Sequence, residues 1–137
     1  MVAAIALALL AGNAAATSAK LIGFQTPTNN IVCAGYTGSQ PASLRCDIHS
    51  GLKPKPARPK SCHYDFGFSL GLNAKGRAHP LCVSDAVLPD PSKAPVLEYG
   101  KTWHDGPFTC KSAKKGLTCR NGAHHGFFLS KQSWKRV

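Results

Sequence analysis

Beyond the first twenty residues, apolar and polar positions alternate in short runs separated by Gly, Pro, Asn and Asp. Alternation and β-branched or aromatic content predict strands at 21–25, 30–34, 43–48, 66–72, 78–84, 96–99, 107–111, 117–120 and 126–130. No window of a dozen residues outside the N-terminal run repeats near 3.6 residues, so a helical bundle is excluded. The one helical expectation is a short turn at 130–135 with Ser130 as its N-cap. The predicted fold is all-β, a small disulfide-stabilised sandwich or open barrel. Its core is expected to hold Phe24, Ile31, Leu44, Phe66, Leu81, Phe108, Leu117, Phe127 and Leu129. Ten prolines and 13 glycines agree with many turns, and 137 residues suffice for one domain.

The N-terminus has a different pattern. Residues 2–11 are an uncharged run of Val, Ala, Ile and Leu, the length of a signal-peptide core and too short to span a bilayer. Small residues follow, and cleavage is expected after Ala16 or Ala19. No Lys or Arg precedes Lys20, so the usual positive start of such a peptide is absent from the sequence. Residues 1–19 are read as a signal peptide and 20–137 as a single disulfide-rich β domain, secreted or periplasmic.

The cysteines agree with export. The six are Cys33, Cys46, Cys62, Cys82, Cys110 and Cys119. An even number in an exported chain reads as three disulfides, and the absence of C-x-x-C removes support for zinc-ribbon or thioredoxin chemistry. Neighbour pairing is expected, because turn residues lie between the members of each pair: Gly35, Gly38 and Pro41; Asn73 to Gly76; Lys114-Lys115-Gly116. Each closed loop is worth roughly 3 kcal/mol in the chain-entropy account.

Two stretches echo each other. Gly23 and Gly100 each stand ten residues before a cysteine, Cys33 and Cys110, and Ile31 and Phe108 stand two before it. A second cysteine follows in each, preceded by Leu44 and Leu117 at the same offset. This predicts two pseudo-repeated units, each a strand followed by a disulfide-closed hairpin.

A resemblance covers nearly all of the chain after the signal peptide. It is carried by Phe24-Gln-Thr-Pro-Thr-Asn-Asn-Ile-Val-Cys33, Leu44-Arg-Cys46-Asp-Ile48, Gly106-Pro-Phe-Thr-Cys110, Gly116-Leu-Thr-Cys119 and His125-Gly-Phe-Phe-Leu-Ser130. These runs resemble a family of small secreted, disulfide-rich bacterial proteins of unknown function. Its members read F-x-(T/S)-P-(S/T)-x-N-I-x-C, R-C-(D/E)-I, G-P-F-x-C, G-(V/L)-x-C-x-N and H-G-F-x-(L/I)-S. Cys62-His-Tyr-Asp-Phe-Gly67 is similar to the family's C-x-x-D-W-G, with Phe66 in place of Trp. The resemblance implies no activity, ligand or catalytic residue.

Charge is the strongest functional signal. Seventeen Lys and Arg face six Asp and Glu, a formal net charge of +11. Such a field attracts polyanions. The candidate binding residues are Lys53, Lys55, Arg58 and Lys60, in a Pro-rich segment expected to be an extended, semi-rigid arm, and Lys114, Lys115 and Arg120. A further basic cluster is Lys131, Lys135 and Arg136, where an exposed Trp134 would add stacking.

Signals for catalysis are weak by comparison. If the two units pack together, His104-Asp105 and His124-His125 would approach, which suits acid–base cleavage of RNA or a metal site. There is no H-E-x-x-H, G-x-S-x-G or phosphate-cradling Gly loop. Asp65 and Glu98 are the best pair for a glycosidase, but among so many cations they are better read as ion-pair partners. No catalytic residue, metal or cofactor is assigned. The expectation is an exported, cationic, non-enzymatic binding protein for anionic cell-envelope polymers. The alternatives are a small nuclease-like hydrolase using histidines and a cationic membrane-active protein. Its oligomeric state is left open.

Overall fold

A computed structural model describes Gly12 and residues 21–137 except Ser39. Apart from Gly12, the expected signal peptide and its cleavage positions lie outside the described residues. Ten strands form two five-stranded antiparallel sheets, each a meander in chain order. The first contains β1 (Leu21–Gln25), β2 (Ile31–Tyr36), β3 (Ser43–Ile48), β4 (Phe66–Asn73) and β5 (His79–Cys82). The second contains β6 (Thr102–Asp105), β7 (Phe108–Ala113), β8 (Gly116–Arg120), β9 (Gly126–Leu129) and β10 (Trp134–Arg136). One hydrophobic cluster draws on the inner faces of both sheets, so the architecture is a β-sandwich.

The echo in the sequence is an echo in space. In the first sheet, Phe24, Cys33, Cys46 and Leu70 lie in one row across four strands; in the second, Trp103, Cys110, Cys119 and Phe127 do. Cys33–Cys46 and Cys110–Cys119 are bridged directly across their strand pairs, each with Cα atoms 4.1 Å apart. The sulfurs of Cys33, Cys46 and Cys119 lie within 4.8 Å of one another, so the two bridges meet in the core. Phe24 and Trp103, equivalent in the two rows, touch with ring centroids 5.1 Å apart. The echo slips by two residues at its start, because β1 and β2 are joined by five residues and β6 and β7 by only Gly106 and Pro107. The third bridge, Cys62–Cys82, fastens the segment before β4 to the end of β5 and has no counterpart in the second sheet.

The expected core residues are buried, except that Leu81 is partly exposed where it lies over Gly71. Two elements differ from expectation. Residues 96–99 do not form a strand: Val96 makes one parallel bridge to Gln25, and Pro95, with no N–H, cannot extend the ladder. The strand lies at β6, in a stretch whose Trp-His-Asp-Gly sequence reads as a turn. Residues 130–135 do not form a helical turn either. Ser130 Oγ accepts from the Ser133 N–H at 3.1 Å, closing a tight turn, and the chain then pairs with β9 as β10.

Small cores need tied corners. Asn121, in the β8–β9 loop, is buried and donates from Nδ2 to the carbonyls of Asn73 and Gly76, each at 2.8 Å. Its Oδ1 accepts from the N–H groups of Ala123 and His125. One side chain thus joins the β4–β5 turn of the first sheet to the second sheet. Gly126 explains the glycine of the His-Gly-Phe motif: a Cβ there would collide with the Cys119 carbonyl across the ladder.

Candidate functional site

The outer faces of the two sheets differ in charge and cover. On the first, Arg45 of β3 bonds Asp47 at 2.8 Å and Asp85 at 3.0 Å. Burial works against the guanidinium charge, but the two carboxylates outweigh it and hold Arg45 above its ordinary titration range. Asp47 also accepts from Ser69 Oγ and the Val87 N–H, drawing the segment after β5 over Val32 and Ala34. The remaining ion pair among the described residues, Lys93–Asp90, belongs to that same covering segment.

The second sheet presents a different surface. After Gly106 the chain has seven Lys or Arg and no Asp or Glu. Strand alternation turns Cys110, Leu117, Cys119, Phe127 and Leu129 inward and Lys111, Thr118, Arg120 and Phe128 outward. Lys135 sits over the Phe128 ring, 6.0 Å from its centroid. Beside Lys111 this face has a hollow of about 380 Å³, lined by Ala113, Lys115, Gly116, Thr118, Arg120, Phe128, Lys135 and Val137.

A larger cleft, of about 460 Å³, opens at the adjoining end of the sandwich. The β1–β2 loop supplies Thr26, Thr28 and Asn30; the β7–β8 turn supplies Lys114 and Lys115; the turn after β9 supplies Ser130, Lys131 and Gln132. Ser50 and Tyr99 complete the wall. The framework is fixed: Thr26 bonds Ile31 through both main chain and hydroxyl, and Asn30 bonds Ser50 twice. The lining has three ammonium groups, several hydroxyls and amides, and no acidic side chain. Its volume suits a small polar ligand or one unit of a polymer.

Of the expected binding residues, Lys114 and Lys115 line the cleft and Lys115 and Arg120 the hollow. Lys53, Lys55, Arg58 and Lys60 are exposed but line neither. Their segment is a strap fastened to the sandwich. Leu52 is buried, and its N–H donates to the Gly67 carbonyl at 2.7 Å; Trp134 donates its main-chain N–H to Lys53 and its indole N–H to Pro54. The Arg58 guanidinium bonds the Tyr64 and Cys62 carbonyls. Trp134 is half-buried, bonded to the strap and 5.5 Å from Arg136, so it does not stand free for stacking.

Among the described residues no histidine is hydrogen-bonded to another histidine or to a carboxylate. His104 and Asp105 are neighbours in a strand and face opposite ways: His104 bonds Thr109 outside, and Asp105 accepts from Thr37 at the sandwich margin. His124 and His125 belong to the loop organised by Asn121. Among the described residues, the one group of three His, Cys, Asp or Glu with ligand atoms close together is Cys33, Cys46 and Cys119, all bridged.

Thr28, Asn30, Tyr99, Thr118 and Phe128 were not legible as site residues. The alternating Lys111, Thr118 and Phe128 in β7 to β9 were the available signal for an outward cationic face. A family profile matches residues 3–135, nearly the whole chain. The chain belongs to DUF6636, a family of unknown function. No curated protein and no solved structure matches it. DUF6636 carries no described activity, so the functional reading rests on the geometry above.

Proposed function

We propose that this DUF6636 protein is an exported, non-enzymatic binding module for anionic cell-envelope polymers, gripping them with the second sheet. The observation that carries the reading is the acid-free cationic surface of that sheet, set beside a first sheet that, with its covering segment, holds every ion pair among the described residues. Cations without neutralising neighbours raise the local concentration of a polyanion and contact it directly. The rigid two-sheet frame means that little ordering is needed on contact. Three disulfides fit an oxidising compartment outside the cytoplasm, where anionic envelope polymers are the abundant polyanions. The strap cations flank β10 and add to the field at longer range.

The alternatives find less support. A nuclease needs a placed acid–base set, and the His104 and Asp105 side chains lie on opposite faces of β6, His104 bonded to Thr109 and Asp105 to Thr37. A membrane-active protein needs apolar area beside its cations, whereas of the exposed large apolar side chains among the described residues only Tyr99 lines the cationic cleft or hollow. Fluorescence anisotropy with a labelled anionic wall polymer tests the reading. Binding is expected at low salt, weaker at physiological salt where the Debye length is about 8 Å, and unchanged by His104→Ala. No affinity for wall polymer at low salt, or RNA cleavage that His104→Ala abolishes, would end it.

A further inference from the structure

The cleft and the outer hollow share Ala113, Lys115 and Gly116, so they adjoin across the β7–β8 turn. We propose that they are two subsites of one track that takes a linear chain of phosphate-linked polyol units, with Lys115 at the crossing. The proposal rests on the polyanion reading above and adds the path and the chemistry of the ligand.

Each part of the track suits that chain. In the cleft, Lys114 and Lys131 stand among the exposed polar groups of Thr28 and Gln132, which matches a phosphodiester beside a hydroxyl-bearing unit. At the crossing, Gly116 has no side chain, and a Cβ there would strike the Phe128 ring, which lies against it. The ring therefore packs down on the turn, and the floor between the subsites stays low. On the far side Thr118, Arg120 and Lys135 repeat the combination of hydroxyl and cation.

The same groups argue against a nucleic-acid strand. Sequence-tolerant binding of single strands relies on successive aromatic faces for the bases. Along this track the Phe128 ring lies under the Lys135 ammonium, and Tyr99 is a single exposed ring at one end. Threonines and cations, not stacked rings, line the path.

The test is an NMR titration of the full folded domain with poly(glycerol phosphate) in a short form, too short to reach both subsites, and a long form. With the long form, amides around Lys114 and Lys131 and amides around Arg120 and Lys135 should shift together with one midpoint. That midpoint should lie on the order of a hundredfold below those of the short form, because the second contact becomes intramolecular. With the short form the two groups should titrate at separate midpoints, Lys131→Gln moving only the first and Lys135→Gln only the second. Lys115→Gln should weaken the long form by ~tenfold or more. Separate midpoints with the long form, or shifts confined to one hollow, would overturn the track while leaving polyanion binding intact. Absence of any shift at low salt would overturn the polyanion reading and the track with it. Tighter binding of an oligothymidylate of equal charge would overturn the polyol-phosphate assignment.

Discussion

The outer face of the first sheet is roofed by the segment after β5 and clamped by Arg45, Asp47 and Asp85. The outer face of the second is open and carries cations with no acidic side chain among them. Both sheets contribute the same kind of inner row and the same cross-strand disulfide, so folding does not require the difference. The charges of the first face hold the molecule together, with Arg45 matched by two carboxylates. The charges of the second face meet no carboxylate: Arg120 bonds the His124 carbonyl, and Lys135 lies over the Phe128 ring.

The comparison can be broken from its common ground outward. Phe108 is fully buried between the sheets, and Phe108→Ala should lower stability by about 3–5 kcal/mol in chemical denaturation, the usual loss for a large core aromatic. A loss below about 1 kcal/mol would mean that the sheets do not share a core there. Next comes the tie between the sheets: Asn121→Ala leaves two carbonyls and two N–H groups without their partner and should cost about 1–3 kcal/mol. Stability equal to wild type would show that the β4–β5 turn is held by other contacts.

A smaller effect separates the two faces. Arg45→Ala removes a half-buried cation from two carboxylates and should cost about 1–2 kcal/mol, with faster amide exchange at Val87. Thr118→Ala or Lys111→Gln on the second sheet should change stability by no more than about 0.5 kcal/mol. Equal losses on the two faces would remove the distinction between structural and free charge.

Legibility in the sequence follows the same division. Inner positions declare themselves through Leu-x-Cys and Phe-x-Cys spacing, because a residue two before a cross-strand cysteine shares its face. Ile31, Phe108, Leu44 and Leu117 were readable for that reason. The adjacent Phe127 and Phe128 were harder, since a strand can turn only one of them inward, and the outward Phe128 floors the hollow. Edge elements were misread because tertiary pairing decides them. Thr102–Asp105 becomes a strand by lying against β7, and residues 96–99 fail to become one because Pro95 interrupts the ladder. The charge of the Pro-rich segment was plain, but its fastening by Trp134, some 80 residues away, could not be read locally. The cleft was illegible for the same reason: its walls come from five loop segments that meet only in the folded protein.

The most direct measurement compares two variants of equal net charge in their binding to an anionic wall polymer over a range of salt. One replaces Lys114, Lys115, Arg120 and Lys135 by Gln; the other replaces Lys53, Lys55 and Lys60 of the strap and Lys75, which is exposed in the β4–β5 turn. Binding driven by contact between cations and a polyanion falls linearly in log K against log salt, with a slope set by the number of contacts. The second-sheet variant should lose most of its affinity and show a clearly shallower slope, while the other keeps a slope near wild type. Equal losses in the two variants would mean that overall charge, and not the open face of the second sheet, attracts the polymer, and would contradict the account.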